Sequence, residues 1–270
     1  MGACATTVDH QHWARGKEKV HYHWYGFVAA ITKPKTAEST GAHQLAGQPS
    51  GIDAVVTLEQ KVAATADPTL CRGKYDGRKH YNNIDHDAAL QSTMDRAPHL
   101  MRSCVTASGR STLSIVTDDG RAQWLPISRG YGQGIQCSTA LADSVMAQTV
   151  AGALEILDSL DLPDRERIII TSVADNISTV CPIRHVAAVN DALVRSAEKQ
   201  CVHLDDQRID LQGSTVERNA AQAAITATDP RFGDWISRPD LTLDLNDVYV
   251  LFGLPIYGGK EERIAYEARI

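Results

Sequence analysis

The sequence predicts an α+β fold, an antiparallel sheet with helices packed on one face. From about residue 70 onward, strand-like and helix-like segments alternate. Two pairs of strand-like runs are joined by short acidic turns, Asp118-Asp119-Gly120 and Ala174-Asp175-Asn176, as hairpins require. The 270 residues are 43% apolar and 22% charged, enough to build one sizeable core.

Residues 1–40 read as an irregular N-terminal segment rich in His, Lys and Thr, and residues 41–270 as a single domain. The pairs His10/His12 and His21/His23 would share a strand face and could hold a transition metal, but no frame surrounds them, and a polar segment is the simpler reading. Leu70 to Tyr75 forms a strand leading to Asp76. A polar knot follows at Gly77 to Asn83, then a helix over Ile84 to Met94. Leu113 to Val116 and Ala122 to Ile127 flank Asp119-Gly120, where glycine readily takes the positive φ of a hairpin turn. Arg129-Gly-Tyr-Gly-Gln-Gly134 is a loop, after which Ser138 is expected to cap a helix running to about Leu160. Leu141, Val145, Thr149, Leu154 and Leu157 lie near helical spacing on it.

The β-branched run Arg167 to Val173 predicts a buried strand, Ala174-Asp175-Asn176 its tip, and Ile177 to Val180 the return. Pro182 suits the first turn of a helix with Val186, Val189, Leu193 and Ala197 on one face. The remainder gives short strands near 201–211, a helix near 215–226, and a strand Val248 to Phe252 before the turn Gly253-Leu-Pro-Ile256.

No run of eighteen apolar residues occurs, so no helix is expected to cross a membrane, and the first dozen residues lack the apolar stretch of a secretory signal. The six cysteines are scattered and form no C-x-x-C pair, as expected of reduced thiols in an intracellular compartment. With 33 acidic and 27 basic residues the formal charge is −6, which counts against tight nucleic-acid binding by this chain alone.

Asp76 ends one strand and Asp175 sits at a hairpin tip, where two carboxylates can lie side by side at a sheet edge. Such a pair repels unless a cation lies between, and Mg²⁺ suits it, taking a few carboxylate oxygens and sharing its remaining shell with water and phosphate. Either aspartate, taken by itself, is equally a turn or capping residue.

Four segments occur in order: Y-D-G-R-K-H-Y-N-N-I-D (75–85), S-R-G-Y-G-Q-G-I-Q-C-S (128–138), V-A-D-N (173–176) and V-L-F-G-L-P-I (250–256). Together with Q-L-A-G-Q-P-S-G-I-D-A-V-V-T-L-E (44–59), they resemble the successive palm motifs of reverse transcriptases, especially those of non-LTR retrotransposons, over roughly residues 40 to 260. The resemblance implies a polymerase palm-like sheet. It further implies a two-metal nucleotidyl transfer using Mg²⁺ or Mn²⁺, with RNA template, DNA primer and deoxynucleoside triphosphates as partners, and no membrane. On it, Asp76 and Asp175 match the metal-binding aspartates, and the Gly77 carbonyl could add a ligand. Tyr81 matches the aromatic that excludes a 2′-hydroxyl, and is otherwise a half-buried Tyr at a strand end. Gln133 and Gly134 match the loop that packs on the nascent pair, or else form a plain glycine-rich turn. Leu251, Phe252 and Gly253 match the hairpin under the primer end, or else a core strand and turn.

Three features depart from that pattern. Asn176 stands where the family has a second tip aspartate, which removes a negative charge from the metal site. Only Lys33-Pro34-Lys35 stands for the basic fingers segment, without the expected Arg-Pro-Ile stretch, so reduced fingers are expected. The chain ends soon after residue 256, so no thumb is expected. The rival to an active RNA-directed DNA polymerase is therefore a catalytically degenerate palm, serving as a structural or interaction subunit with protein or RNA partners in a larger ribonucleoprotein.

Overall fold

The computed structural model describes residues 43–46, 51–64, 67, 69–102, 105, 112–116, 119–127, 129–131, 136–228, 236–237, 249–251 and 254–256. The His-x-His pairs and Lys33 to Lys35 lie outside the described residues.

A five-stranded sheet organises the fold. Its strands are β1 (Leu70–Gly77), β4 (Ile169–Val173), β5 (Asn176–Pro182), β6 (Leu204–Asp210) and β7 (Ile236–Ser237), in the order β4-β5-β1-β6-β7. All pairings are antiparallel except β6 with β7. Strands β2 (Thr112–Val116) and β3 (Ala122–Pro126) form a separate hairpin, with Gly120 of the turn at φ +79°. Strand β1 is central and its burial alternates strictly. Cys71, Gly73, Tyr75 and Gly77 point into the core, whereas Arg72, Lys74 and Asp76 are half-buried on the other face.

The core face is covered by helices α3 (His86–Arg96), α4 (Gln136–Asp158), α5 (Val186–Lys199) and α6 (Thr215–Thr228). Helix α4 passes for a membrane-crossing segment by length and composition, but Leu141, Val145, Met146, Val150 and Leu157 are buried in the protein's own core. Each such side chain contributes about 1.5–3 kcal/mol by leaving water, which makes α4 the central core helix. On the opposite face, Val55 and Val56 of α1 (Gly51–Ala64) pack on Val173, and buried Glu59 accepts a hydrogen bond from the Ser178 hydroxyl. Val173 and Ser178 alternate out of phase with the core residues Ile170 and Ile177, so α1 lies over β4 and β5 on the Asp76 side.

Several local expectations change. Asp85 caps α3, its side chain accepting from the amides of Asp87 (3.0 Å) and Ala88 (3.2 Å), and the polar knot contains a short helix, α2 (His80–Asn83). Helix α4 begins at Gln136, so Ser138 is buried within its first turn and does not cap it. Pro182 ends β5, and a 3₁₀ turn over Ile183–His185 precedes α5. Leu254-Pro255-Ile256 is no turn but strand β9 (Leu254–Ile256), paired with β8 (Tyr249–Leu251), and Pro255 is tolerated because the two strands form a ribbon outside the main sheet. Cys71 and Cys181 are buried free thiols opposite one another on β1 and β5, and burial pushes the Cys71 thiol up to about 11.

The glycine-rich segment enters its loop against α2 and the residues after it. Gly130 donates its N–H to the Ile84 carbonyl (2.8 Å), Tyr131 donates to the Tyr81 carbonyl (2.7 Å), and the His86 ring tilts against Tyr131 at 4.7 Å. Gly130 has φ +82°, and a Cβ there would lie 2.5 Å from the Asn82 carbonyl oxygen. Gly130→Ala is expected to destabilise the fold by at least about 1–2 kcal/mol, read as a lowered urea midpoint at unchanged m-value.

Candidate active site

The registers of three strands bring the acidic residues together. Asp76, the penultimate residue of β1, stands opposite Asn176 of β5 on one side and opposite Asp205 of β6 on the other. Val173 pairs with Asn176, so Ala174 and Asp175 are the two turn residues of the β4–β5 hairpin. The Gly77 N–H donates to the Asp175 carbonyl at 2.8 Å, tying the end of β1 to that turn. Asp76 and Asp175 are thus neighbours although 99 positions separate them.

Electrostatics report the crowding. Asp76 is pushed up to about 6 by burial, then by the charges of Asp175 and Asp205, with Lys74 opposing. Asp143 of α4, a site the sequence did not mark, is only 6% exposed and is pushed up to about 7, by burial and then by Asp175. Its Oδ1 has no hydrogen-bond partner among the described residues. Asn176 partly relieves the congestion, its Nδ2 donating to Asp175 Oδ1 at 3.3 Å. Among the described residues no group of three acidic, His or Cys side chains is placed to hold a metal ion. The pair Asp76 and Asp175 nevertheless suits one divalent cation, because the negative charge of Asp175 that raises the proton affinity of Asp76 also favours a cation there.

Tyr81 lies in α2, partly buried, and hydrogen-bonds the Thr139 side chain. Burial raises its phenol, followed by Asp143, with a smaller push from Asp175, so it belongs to the same electrostatic cluster. Gly77 is buried against His80, whose Nε2 lies 3.1 Å from the Ala142 carbonyl and fastens the end of β1 to α4. Gln133, Gly134, Phe252 and Gly253 lie outside the described residues, and Leu251 is the last residue of β8, paired with Leu254. A cavity of about 310 Å³ lined by Arg129, Glu198, Cys201 and His203 contains none of these carboxylates.

Asp143 and Asp205 were missed because neither sits in a motif. Only a sheet register reveals Asp205, and only the helical phase of α4 reveals Asp143, two positions after Leu141 in an otherwise apolar run.

No family model and no curated protein matches the chain. Solved structures do. The chain resembles apo telomerase from Candida tropicalis (TM-score 0.50, 10% identity, covering 68% of this chain and 35% of that one). It also resembles the form of that enzyme truncated from its C-terminal domain (0.51, 14%, 77% and 46%). A third is telomerase from Candida albicans in complex with a fragment of telomeric RNA (0.53, 13%, 78% and 38%). The chain therefore spans less than half the length of these proteins. At such identities the likeness is one of fold: this is an α+β domain of the palm-like kind found in telomerase, a reverse-transcriptase-related enzyme.

Asp143 carries a proton in the folded state that it would lose in the unfolded chain between its ordinary value of 3.8 and about 7. Its contribution to stability is therefore fully present below pH 4 and is lost as pH rises through 7. Asp143→Asn is expected to stabilise the protein at pH 8 by roughly 2–4 kcal/mol while changing little at pH 4, measured by urea denaturation at both.

Proposed function

We propose that this chain is the palm of a reverse-transcriptase-type polymerase, resembling those of non-LTR retrotransposons. Its reaction is the template-directed transfer of deoxynucleotides to a primer end. The observation that carries the proposal is the placement of Asp76 beside Asp175 at one end of the sheet, with Asp205 and Asp143 deepening the negative potential. Asp76 and Asp175 are the residues that would hold Mg²⁺ or Mn²⁺, which offsets charge on the phosphate oxygens during nucleotidyl transfer.

The chain's own groups supply the rest. The Gly77-to-Asp175 hydrogen bond fixes the two carboxylates relative to each other before substrate arrives. Tyr81, restrained by Thr139, is the wall that excludes a ribose 2′-hydroxyl, and Gln133 and Gly134 contact the nascent base pair. Leu251 to Gly253 support the primer end. An RNA template is the expected partner, and the RNA-bound Candida albicans telomerase supports an RNA-containing assembly.

A second reading is a palm that has lost catalysis and acts as a scaffold in a larger ribonucleoprotein. Asn176 favours it, because its amide donates to the very carboxylate a cation would need.

Primer extension on poly(rA)·oligo(dT) with Mg²⁺, then Mn²⁺, decides between the two. Extension that disappears with Asp175→Ala establishes the polymerase site. No extension by folded protein in either metal leaves the scaffold. Asn176→Asp is expected to tighten Mn²⁺ binding at least tenfold in an electron paramagnetic resonance titration, since one added charge about 4 Å from a cation is worth a few kcal/mol near a protein surface.

A further inference from the structure

The turn that carries Asp175 is not self-supporting. Ala174, its first residue, sits at φ +53°, a left-handed conformation that costs a non-glycine residue. What holds it is far away in sequence. Residues 43–45 run parallel to the free edge of β4: Ser172 N–H donates to the His43 carbonyl (2.7 Å) and Leu45 N–H to the Ser172 carbonyl (2.8 Å). This lays the Gln44 side chain, fully buried, along the turn. Its Oε1 accepts from the Ala174 N–H at 3.2 Å, and its Nε2 donates to the Ala174 carbonyl at 3.2 Å. The same Oε1 accepts from the Ala46 N–H at 3.0 Å, which locks the carboxamide in orientation. Leu45 and Ala46 then pack with Val55, Val56 and Val173, and Gly51 admits the start of α1 where a Cβ would lie 2.1 Å from the Leu45 carbonyl oxygen.

We propose that Gln44 is a positioning residue: its carboxamide clamps both backbone groups of Ala174 and so fixes the direction of the Asp175 side chain at the sheet edge. With the Asp175 carbonyl taken by Gly77, the turn is held from two sides, by β1 and by the segment that precedes α1. Gln and Asn are the side chains that offer a planar donor and acceptor side by side whatever the pH, as pairing with a peptide group requires. The functional consequence rests on the reading of Asp175 as a metal ligand, whereas the clamp itself is measurable without it.

The test uses the full chain with Gln44→Met, which keeps volume and removes both hydrogen bonds to Ala174 together with the one from Ala46. Hydrogen exchange over residues 172–177 is expected to rise roughly tenfold or more, the loss of one buried hydrogen bond. Mn²⁺ affinity is expected to fall by a similar factor. Adding Ala174→Gly, which removes the left-handed penalty, is expected to restore most of the Mn²⁺ affinity while exchange stays fast, a rescue that a merely structural Gln44 would not allow. Should the Met variant not fold, Gln44→Glu, measured at a pH where its carboxylate is ionised, keeps the acceptor and loses the donor, and is expected to exchange faster and bind Mn²⁺ more weakly than wild type. Unchanged exchange in folded Gln44→Met, or wild-type exchange in Gln44→Glu, overturns the clamp. Local exchange that rises as expected in a protein whose wild type binds no Mn²⁺ upholds the clamp and removes the metal reading of Asp175.

Discussion

The pairing of β1 with β5, in the register that sets Asp76 opposite Asn176, is the constraint on which the rest depends. Side chains alternate along a strand, so a slip of one residue would turn Asp76 into the core and send Tyr75 out of it. Tyr75 is 1% exposed and among the largest buried side chains, so the hydrophobic cost of a slip enforces the acidic geometry on the other face. The core-facing side of the sheet thereby fixes the chemistry of the opposite side. His80 on Ala142 and Gly77 on Asp175 add hydrogen bonds at the strand end, where the pairing would otherwise fray.

Around that end the molecule accepts an electrostatic conflict. Asp175 and Asp205 press on Asp76, and Asp175 presses on Asp143, so that Asp76 and Asp143 hold their protons far more strongly than usual. A stability-optimised domain would place Asn or Leu at position 143. Carboxylates crowded at one end of a sheet, two of them with raised proton affinity, mark a candidate functional site. Asn176 eases the conflict by setting an amide proton against Asp175.

Much of this was legible in the chain itself. The Asp119-Gly120 and Ala174-Asp175 hairpins, the long apolar helix and the β-branched strand were visible because turn chemistry and periodicity are local. The start of α4 was misjudged by three residues because Ser138 looks like a cap yet is buried in the first turn. Pro255 looked like a turn residue and lies in a strand, because a two-stranded ribbon tolerates what a central strand does not. The environment of Asp175 was out of reach. Gln44 lies 130 positions from Ala174, Asp143 hides in an apolar run, and Asp205 has meaning only once β6 is aligned with β1. Each depends on a tertiary pairing that no local pattern encodes.

The central position of β1 also governs how the protein is made. Its two neighbours are β5 and β6, about a hundred residues or more downstream, so at ordinary elongation rates the ribosome delivers them roughly 5–20 s after β1 has emerged. During that interval a future core strand has two unpaired edges, the situation most prone to intermolecular association. Arg72, Lys74 and Asp76 place a charge at every second position, so stacking a second copy on that side of the waiting strand would strip three charges of water. Asp76 thus has a part in the nascent chain before any in the finished one, and its removal would burden biogenesis.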